Sequence, residues 1–284
     1  MKWQGVIPAI TTPFREDLSV DHDFLAKHAS WMIENGCTGI VALGSLGEGA
    51  TLELDEKVAV LRTCMRSGAP VVAAISALST AAAVRLAKKA EEAGCGGLMV
   101  LPPYVYSTDW REMKAHIAAV LRATRLSCML YNNPIAYRTD FLPGQVAELA
   151  KEHENLHAVK ESSGDIRRIT AIESLRTRLA ISVGVDDLIV EGRAAGAVGW
   201  IAGLVNALPN ESVALFNGAD IYRWFLPLLR LDTVPKFVQL IKLVQQEVGM
   251  GNERVRPPRL TLAGEEREIA LRLIRDSLAS RPKL

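Results

Sequence analysis

Leu156-His157-Ala158-Val159-Lys160-Glu161-Ser162-Ser163-Gly164-Asp165 is a short apolar run that ends in a lysine and breaks at once into small polar residues. A run of this length closed by Ser-Gly-Asp reads as a buried strand entering a loop. A lysine at its last buried position loses solvation, which lowers its pKa towards the range where the free amine is a nucleophile. A strand-end lysine can also snorkel to water, and this stretch alone favours that plainer reading. The rest of the chain reverses the weighting.

Outward from this run, the hydrophobic period switches regularly between two and 3.6. Upstream lie five apolar runs: Gly5 to Ile10, Gly39 to Leu43, Val71 to Ile75, Gly97 to Leu101 and Ser127 to Tyr131. Downstream lie Leu179 to Val185 and Ala197 to Gly203. Helical patterns fill the gaps, opening at Asp21, near Glu53, near Ser79, around Asp109 and after Pro143, positions marked by capping residues or by proline. Strands alternating with helices imply right-handed parallel crossovers. Eight such units over about 205 residues match a (β/α)8 TIM barrel, whose usual length is ~250 residues. A doubly wound sheet fits less well, because no GxGxxG opens the first helix. Beyond Gly203 the strand signal ends and two or three helices remain, one of them Glu265 to Ser280. The expected organisation is a barrel over 1–206 and a C-terminal helical extension over 207–284, packed on it as one unit.

Composition agrees with this plan and narrows the function. The 284 residues are 49% hydrophobic and only 6% aromatic, which suits a large aliphatic core. Net charge is +1, with no run of one sign, so no footprint for nucleic acid or an anionic membrane is expected. The longest apolar stretch, Ala194 to Pro209, falls short of the roughly 20 residues of a membrane span. Met1 to Gly5 leads straight into a strand-like run, so no secretory signal is expected and a soluble cytoplasmic protein follows. The four cysteines lack CxxC spacing, which argues against zinc and against a disulfide framework. The five histidines are spaced unlike metal ligands and read as surface residues.

In such a barrel the active site lies at the C-terminal ends of the strands. The residues there include Thr11, Ser45, Glu48, Tyr104, Tyr106, Tyr131, Lys160, Asp186 and Trp200. A lysine and a tyrosine on adjacent strand ends serve carbonyl chemistry together: the amine forms a Schiff base and the phenol shuttles protons. The Gly44-Ser45-Leu46-Gly47 turn offers backbone N–H groups and one hydroxyl, enough to hold a carboxylate. Glu48 reads as a brace for the following helix, and Asp186 as a helix cap.

Four motifs together resemble the dihydrodipicolinate synthase / N-acetylneuraminate lyase family: Gly44-Ser45-Leu46-Gly47-Glu48, Tyr131-Asn132-Asn133-Pro134, Val159-Lys160-Glu161-Ser162 and Gly184-Val185-Asp186-Asp187. The resemblance covers nearly the whole chain. It implies a class I Schiff-base lyase or synthase, mostly tetrameric in the family, acting on pyruvate or related 2-oxo acids. On it, Lys160 is the Schiff-base lysine, Tyr131 the general acid/base, and Ser45 with the Leu46 amide the carboxylate site. Thr11, Tyr106, Arg138, Trp200 and Ile201 complete the expected substrate contacts, with Tyr104 or Tyr106 entering a neighbouring subunit's site. The lysine is itself the electron sink, so no cofactor or metal is expected.

Departures from the synthase pattern point to one branch of the family. Leu46 stands where synthases carry a second threonine, Tyr104-Val105-Tyr106 replaces paired tyrosines, and Arg138 lies farther than usual from the Tyr-Asn-x-Pro turn. With Tyr137-Arg138, Tyr222-Arg223-Trp224-Phe225 and Val255-Arg256-Pro257-Pro258-Arg259-Leu260, the chain looks closer to a catabolic branch. That branch includes 1-pyrroline-4-hydroxy-2-carboxylate deaminases, which release ammonia and 2-oxoglutarate semialdehyde, and a cyclic imine carboxylate is then the expected substrate. The alternatives are 4-hydroxy-tetrahydrodipicolinate synthase, a 2-keto-3-deoxy sugar acid aldolase or dehydratase, and a barrel that binds a 2-oxo acid without turnover.

Overall fold

A computed structural model describes residues 1–103 and 109–284. The eight apolar runs form eight parallel strands: β1 (Gly5–Pro8), β2 (Ile40–Ala42), β3 (Val71–Ile75), β4 (Gly97–Val100), β5 (Ser127–Asn132), β6 (Leu156–Glu161), β7 (Ala180–Val183) and β8 (Gly199–Ala202). Their order is β1-β8-β7-β6-β5-β4-β3-β2. The seam between β1 and β2 closes through a parallel bridge, Ala9 to Val41, and the Ile10 N–H donates to Val41 O at 2.9 Å. The result is the expected (β/α)8 barrel.

Among the described residues the helices are α1 (His22–Glu34), α2 (Leu54–Met65), α3 (Thr80–Ala93), α4 (Trp110–Arg122), α5 (Pro134–Tyr137), α6 (Pro143–Glu152), α7 (Arg167–Ser174), α8 (Ile189–Ala194), α9 (Pro209–Phe216), α10 (Tyr222–Leu229), α11 (Phe237–Glu247) and α12 (Gly264–Ala279). The caps read from sequence hold. Asp21 Oδ1 accepts from Phe24 N at 3.1 Å, Ser79 Oγ from Ala82 N at 3.2 Å, and Asp109 Oδ1 from Arg111 N at 2.7 Å. None of these helices is long and apolar enough to cross a membrane.

The chain past Gly203 differs from expectation. Four helices follow rather than two or three, and α9 packs on β1 and α8 as the eighth helix of the ring. The barrel thus runs past residue 206 to about Phe216. Eight-residue helices such as α9 and α10 are too short for periodicity to reveal. The histidines also depart from the surface reading, since His28 and His116 are buried. His28 Nε2 lies 2.8 Å from Asn206 O, and burial pushes its imidazole down to about 4.

One irregularity positions the chemistry. Pairing between β5 and β6 shifts between Cys128 and Met129, so that Cys128 faces Leu156 but Met129 faces Ala158. His157 is the extra residue, exposed, with Nδ1 2.8 Å from Ser127 Oγ. Past this bulge Tyr131 lies directly beside Lys160, and Lys160 beside Ser182 of β7.

Candidate active site

Lys160, next to last in β6, is almost completely buried. Its Nζ stands 4.2 Å from the centroid of the Tyr131 ring. Burial pulls the amine down to about 8, against the nearby Asp232 and Asp186 carboxyls, which favour the charged form. Among the described residues Lys160 forms no ion pair, so its nitrogen is not held by an acid. Lateral room for the side chain comes from Gly184 at the end of β7. A Cβ there would fall 1.9 Å from Ser162 Oγ and 2.6 Å from Lys160 Cε. Tyr131 is buried, its hydroxyl accepts from Asn133 Nδ2 at 2.9 Å, and burial pushes the phenol up to about 12.

The glycine turn after β2 is bracketed by two left-handed non-glycine residues, Leu43 (φ 67°) and Glu48 (φ 52°). The chain folds back so tightly that a Cβ at Gly49 would lie 2.1 Å from Leu43 O. Backbone strain of this kind needs firm support from its surroundings. Here Glu48 provides it: its carboxylate is buried, accepts from Lys242 Nζ at 2.6 Å and from Arg256 N at 3.0 Å. Glu48 therefore anchors α11 and the Val255–Pro258 segment to the turn, rather than bracing the helix that follows it. Ser45 Oγ is hydrogen-bonded to Tyr137 Oη, and the Tyr137 ring packs edge-on against Tyr131 at 5.8 Å. Among the described residues the Ser45 and Leu46 amides donate to no protein acceptor.

The structure thus brings Lys160, Tyr131 and the Ser45 turn together. The remaining expected contacts fare differently. Trp200 is fully buried and its Nε1 donates to Asp186 Oδ1 at 2.9 Å, so its polar edge is occupied within the protein. The Ile201 side chain is 1% exposed and belongs to the core. Thr11 is buried, its hydroxyl donating to Gln245 Oε1 at 2.9 Å and its N–H to Asn206 Oδ1 at 3.1 Å. Each side chain is thus held within the protein. Arg138 is exposed with left-handed φ 59°, closing α5 rather than facing Lys160 in any contact among the described residues. Tyr104 and Tyr106 lie outside the described residues.

Asp186 does not cap its own turn. It accepts from Trp200 Nε1 and from the N–H groups of Gly203 and Leu204, the latter at 2.8 Å, and so caps the turn after β8. Burial pushes its carboxyl up to about 6, opposed by these donors and by Lys160.

Two residues of the site were not read as such from sequence, Tyr137 having stood only as a marker of the branch. Tyr137 reaches Ser45 because α5 turns the chain back over β5. Its signal is present in retrospect: Asn133 Oδ1 accepts from Ala136 N at 3.0 Å, with Pro134 at the first helical position. Asp232 arrives from a short turn, Arg230–Asp232, after α10. A search confined to strand ends has no means of finding it.

Comparison with known proteins agrees with this geometry. The model of the Dihydrodipicolinate synthetase family matches residues 2–276. The chain is 31% identical over 283 residues to the 4-hydroxy-tetrahydrodipicolinate synthase of Agrobacterium fabrum, covering 95% of this chain and 96% of the relative. It is 33% identical over 252 residues to that of Rhizobium meliloti, covering 87% and 85%. Among solved structures it superimposes with a TM-score of 0.91 and 28% identity on the chloride-inhibited dihydrodipicolinate synthase of Acinetobacter baumannii complexed with pyruvate, covering 97% of this chain and 99% of the other. With a matching barrel, a lysine at the end of β6 and a tyrosine beside it, this chain belongs to the dihydrodipicolinate synthetase family.

Proposed function

We propose that this protein is a lysine Schiff-base enzyme acting on pyruvate or another small 2-oxo acid, and that its reaction is 4-hydroxy-tetrahydrodipicolinate synthesis. The first part rests on one observation above all. Lys160 is buried, without an ion pair among the described residues, its amine drawn to about 8, 4.2 Å from the Tyr131 ring. An amine in that state is a competent nucleophile near neutral pH. The second part rests on the relatives, which carry that synthase name at 31% and 33% identity.

In this reading the substrate carboxylate sits on the Ser45 hydroxyl and the Ser45 and Leu46 amides. Lys160 adds to the C2 carbonyl of pyruvate, and the carbinolamine loses its hydroxyl as water to give an iminium. The cation acidifies C3, and Tyr131 or a bound water takes that proton. The enamine carbon attacks the aldehyde of aspartate semialdehyde. The amine of that substrate then attacks C2, closes the ring and expels Lys160.

A second reading has a specific observation behind it. Ser45 is paired with Tyr137 of the same chain, and Leu46 offers no hydroxyl, so the relay around the carboxylate differs from the synthase pattern. This favours deamination of 1-pyrroline-4-hydroxy-2-carboxylate. Lys160 would attack its C2 imine carbon and open the ring to a free C5 amine. Loss of the C3 proton and of the C4 hydroxyl as water leaves a C3=C4 alkene conjugated with the C2 iminium, and a proton shift from C5 to C3 turns it into a C4=C5 enamine. Its imine tautomer takes up water at C5 to release ammonia, and a second water at C2 frees Lys160 and 2-oxoglutarate semialdehyde.

The test is borohydride reduction after incubation with pyruvate and, separately, with the pyrroline, followed by intact mass and peptide mapping. A pyruvate adduct on Lys160 with consumption of aspartate semialdehyde supports the synthase. An adduct with ammonia from the pyrroline, and no reaction with the semialdehyde, supports the deaminase. Absence of any adduct on Lys160 overturns both. A homotetramer is the proposed assembly, checked by sedimentation.

A further inference from the structure

The chemistry sits on one cross-strand pair, Tyr131 beside Lys160, next to last in the ladder between β5 and β6. Upstream of it the bulge at His157 has already shifted the pairing by one residue. A bulged pair with a loose far end can slip, and a slip of one residue exchanges the face each side chain meets. Tyr131 would then stand beside Val159 or Glu161 instead of Lys160. Register must therefore be fixed just past the pair, and Asn132 and Glu161 face each other there.

Side chains alternate along a strand, so Asn132 and Glu161 lie on the face opposite to Tyr131 and Lys160, towards the outer helices. Asn132 is fully buried. Its Nδ2 donates to Glu161 Oε2 at 3.0 Å and to Asp140 Oδ1 at 3.1 Å, and its Oδ1 accepts from Phe141 N at 2.9 Å. Glu161 Oε1 accepts from Ser163 N at 2.6 Å. Arg168 of α7 closes the cluster with a two-pronged bond to Asp140, Nη2 to Oδ2 at 2.6 Å and Nη1 to Oδ1 at 3.1 Å. Among the described residues no other cation pairs with either carboxyl. One guanidinium thus serves two carboxyls that share one amide. Burial pushes the Glu161 carboxyl up, against the Asn132 and Ser163 donors and the Arg168 charge.

We infer that Arg168 is a positioning residue for the Schiff-base reaction: through Asp140 and Asn132 it fixes Tyr131 beside Lys160 and holds α5 over the Ser45 turn. The inference rests on the Schiff-base reading of Lys160 but not on the choice of substrate. Asp140 lies shortly after Tyr137, the last residue of α5, whose hydroxyl meets Ser45. The clamp that engages Asn132 therefore also fixes the return of α5. Among the described residues Arg168 makes no hydrogen bond or ion pair with Lys160, Tyr131 or Ser45, so it acts through geometry alone.

The two halves of the reaction differ in what they ask of that geometry. Addition of the amine needs Lys160 and the carbonyl carbon. Loss of the C3 proton also needs Tyr131, or a water it holds, at a set distance from the bound substrate. A misplacement of about 1 Å can cost about 10²-fold in such a step. Loosening the clamp should therefore slow the second half more than the first. The side chains of Arg168 and Asp140 are 22% and 32% exposed, and an ion pair so placed contributes little to the stability of the fold.

The experiment uses the full-length protein with pyruvate alone and two readouts. One is the fraction of Lys160 trapped as an adduct by borohydride. The other is exchange of the pyruvate C3 protons for deuterium in heavy water, followed by NMR. Arg168→Ala and Asp140→Asn are each expected to reach the wild-type extent of adduct and to exchange C3 about 10²-fold more slowly. The double variant should be no slower than either single one, because the two residues act as a unit. Arg168→Lys, which keeps the charge and loses the fork, should fall between. Added guanidinium, at a concentration that leaves wild type unaffected, should speed Arg168→Ala and leave Asp140→Asn unchanged. Exchange at the wild-type rate in Arg168→Ala overturns the inference. So does a parallel fall in adduct and exchange without guanidinium rescue, which marks a merely structural role, and so does a double variant in which the two losses multiply. A wild type that forms no adduct, or one whose C3 protons stay in place, refutes the Schiff-base reading or its enamine step, and the inference falls with it.

Discussion

Two lysines in this molecule have nearly the same electrostatic description and opposite uses. Lys160 and Lys242 are both buried, both have an amine drawn down to about 8 chiefly by burial, and both stand over an aromatic ring, Tyr131 at 4.2 Å and Phe14 at 4.5 Å. Lys242, however, is bonded at 2.6 Å to Glu48 Oε1 and at 2.6 Å to Arg254 O. Lys160 has no such partner among the described residues, and its two nearby acids are otherwise placed. A lowered pKa therefore does not identify a nucleophile by itself; it must coincide with an unheld lone pair.

That contrast can be broken in four ways, taken from the largest effect down. Lys160→Ala should abolish turnover and borohydride labelling while the urea midpoint stays close to wild type; retained turnover would end the nucleophile assignment. Tyr131→Phe should lower turnover by about 10²–10⁴-fold, the usual range for a lost acid–base group, and still permit adduct formation. Lys242→Ala should destabilise the fold by about 3–5 kcal/mol, since it strands the buried Glu48 carboxylate, and Lys242→Met with Glu48→Leu should recover much of that. Urea unfolding decides it, and a Lys242→Ala protein of wild-type stability would contradict the anchoring role. The smallest effect is in pH. With Lys160 near 8, the free-amine fraction rises about fivefold between pH 7 and pH 8, so initial trapping by pyruvate should rise by a similar factor and then flatten. A profile still climbing towards pH 10 would mean an amine that burial had not perturbed.

The same contrast marks how much the sequence reveals. The eight strands were legible because apolar runs alternate with helical patterns, several of which open at a capping residue, as at Asp21, Ser79 and Asp109. Lys160, Tyr131 and the Ser45 turn were legible because barrel chemistry sits at strand ends. What stayed hidden depends on contacts distant in the chain. Glu48 and Lys242 are separated by 194 positions, and Thr11 and Gln245 by 234, so no local pattern distinguishes an anchor from a ligand. Trp200 illustrates the same limit: nothing local to a tryptophan at a strand end foretells that its N–H donates to Asp186. Asp232 was invisible because it belongs to no strand at all.

The Glu48–Lys242 bond has a further meaning for how this family can be recombined. A crossover just past Phe216 looks permissible by topology, because it would exchange a barrel for a barrel and a tail for a tail. Such a chimera would separate Glu48 from Lys242, Thr11 from Gln245 and Lys160 from Asp232 in one cut. The tail is inherited with its barrel as a matched set, so the natural unit of exchange is the whole chain.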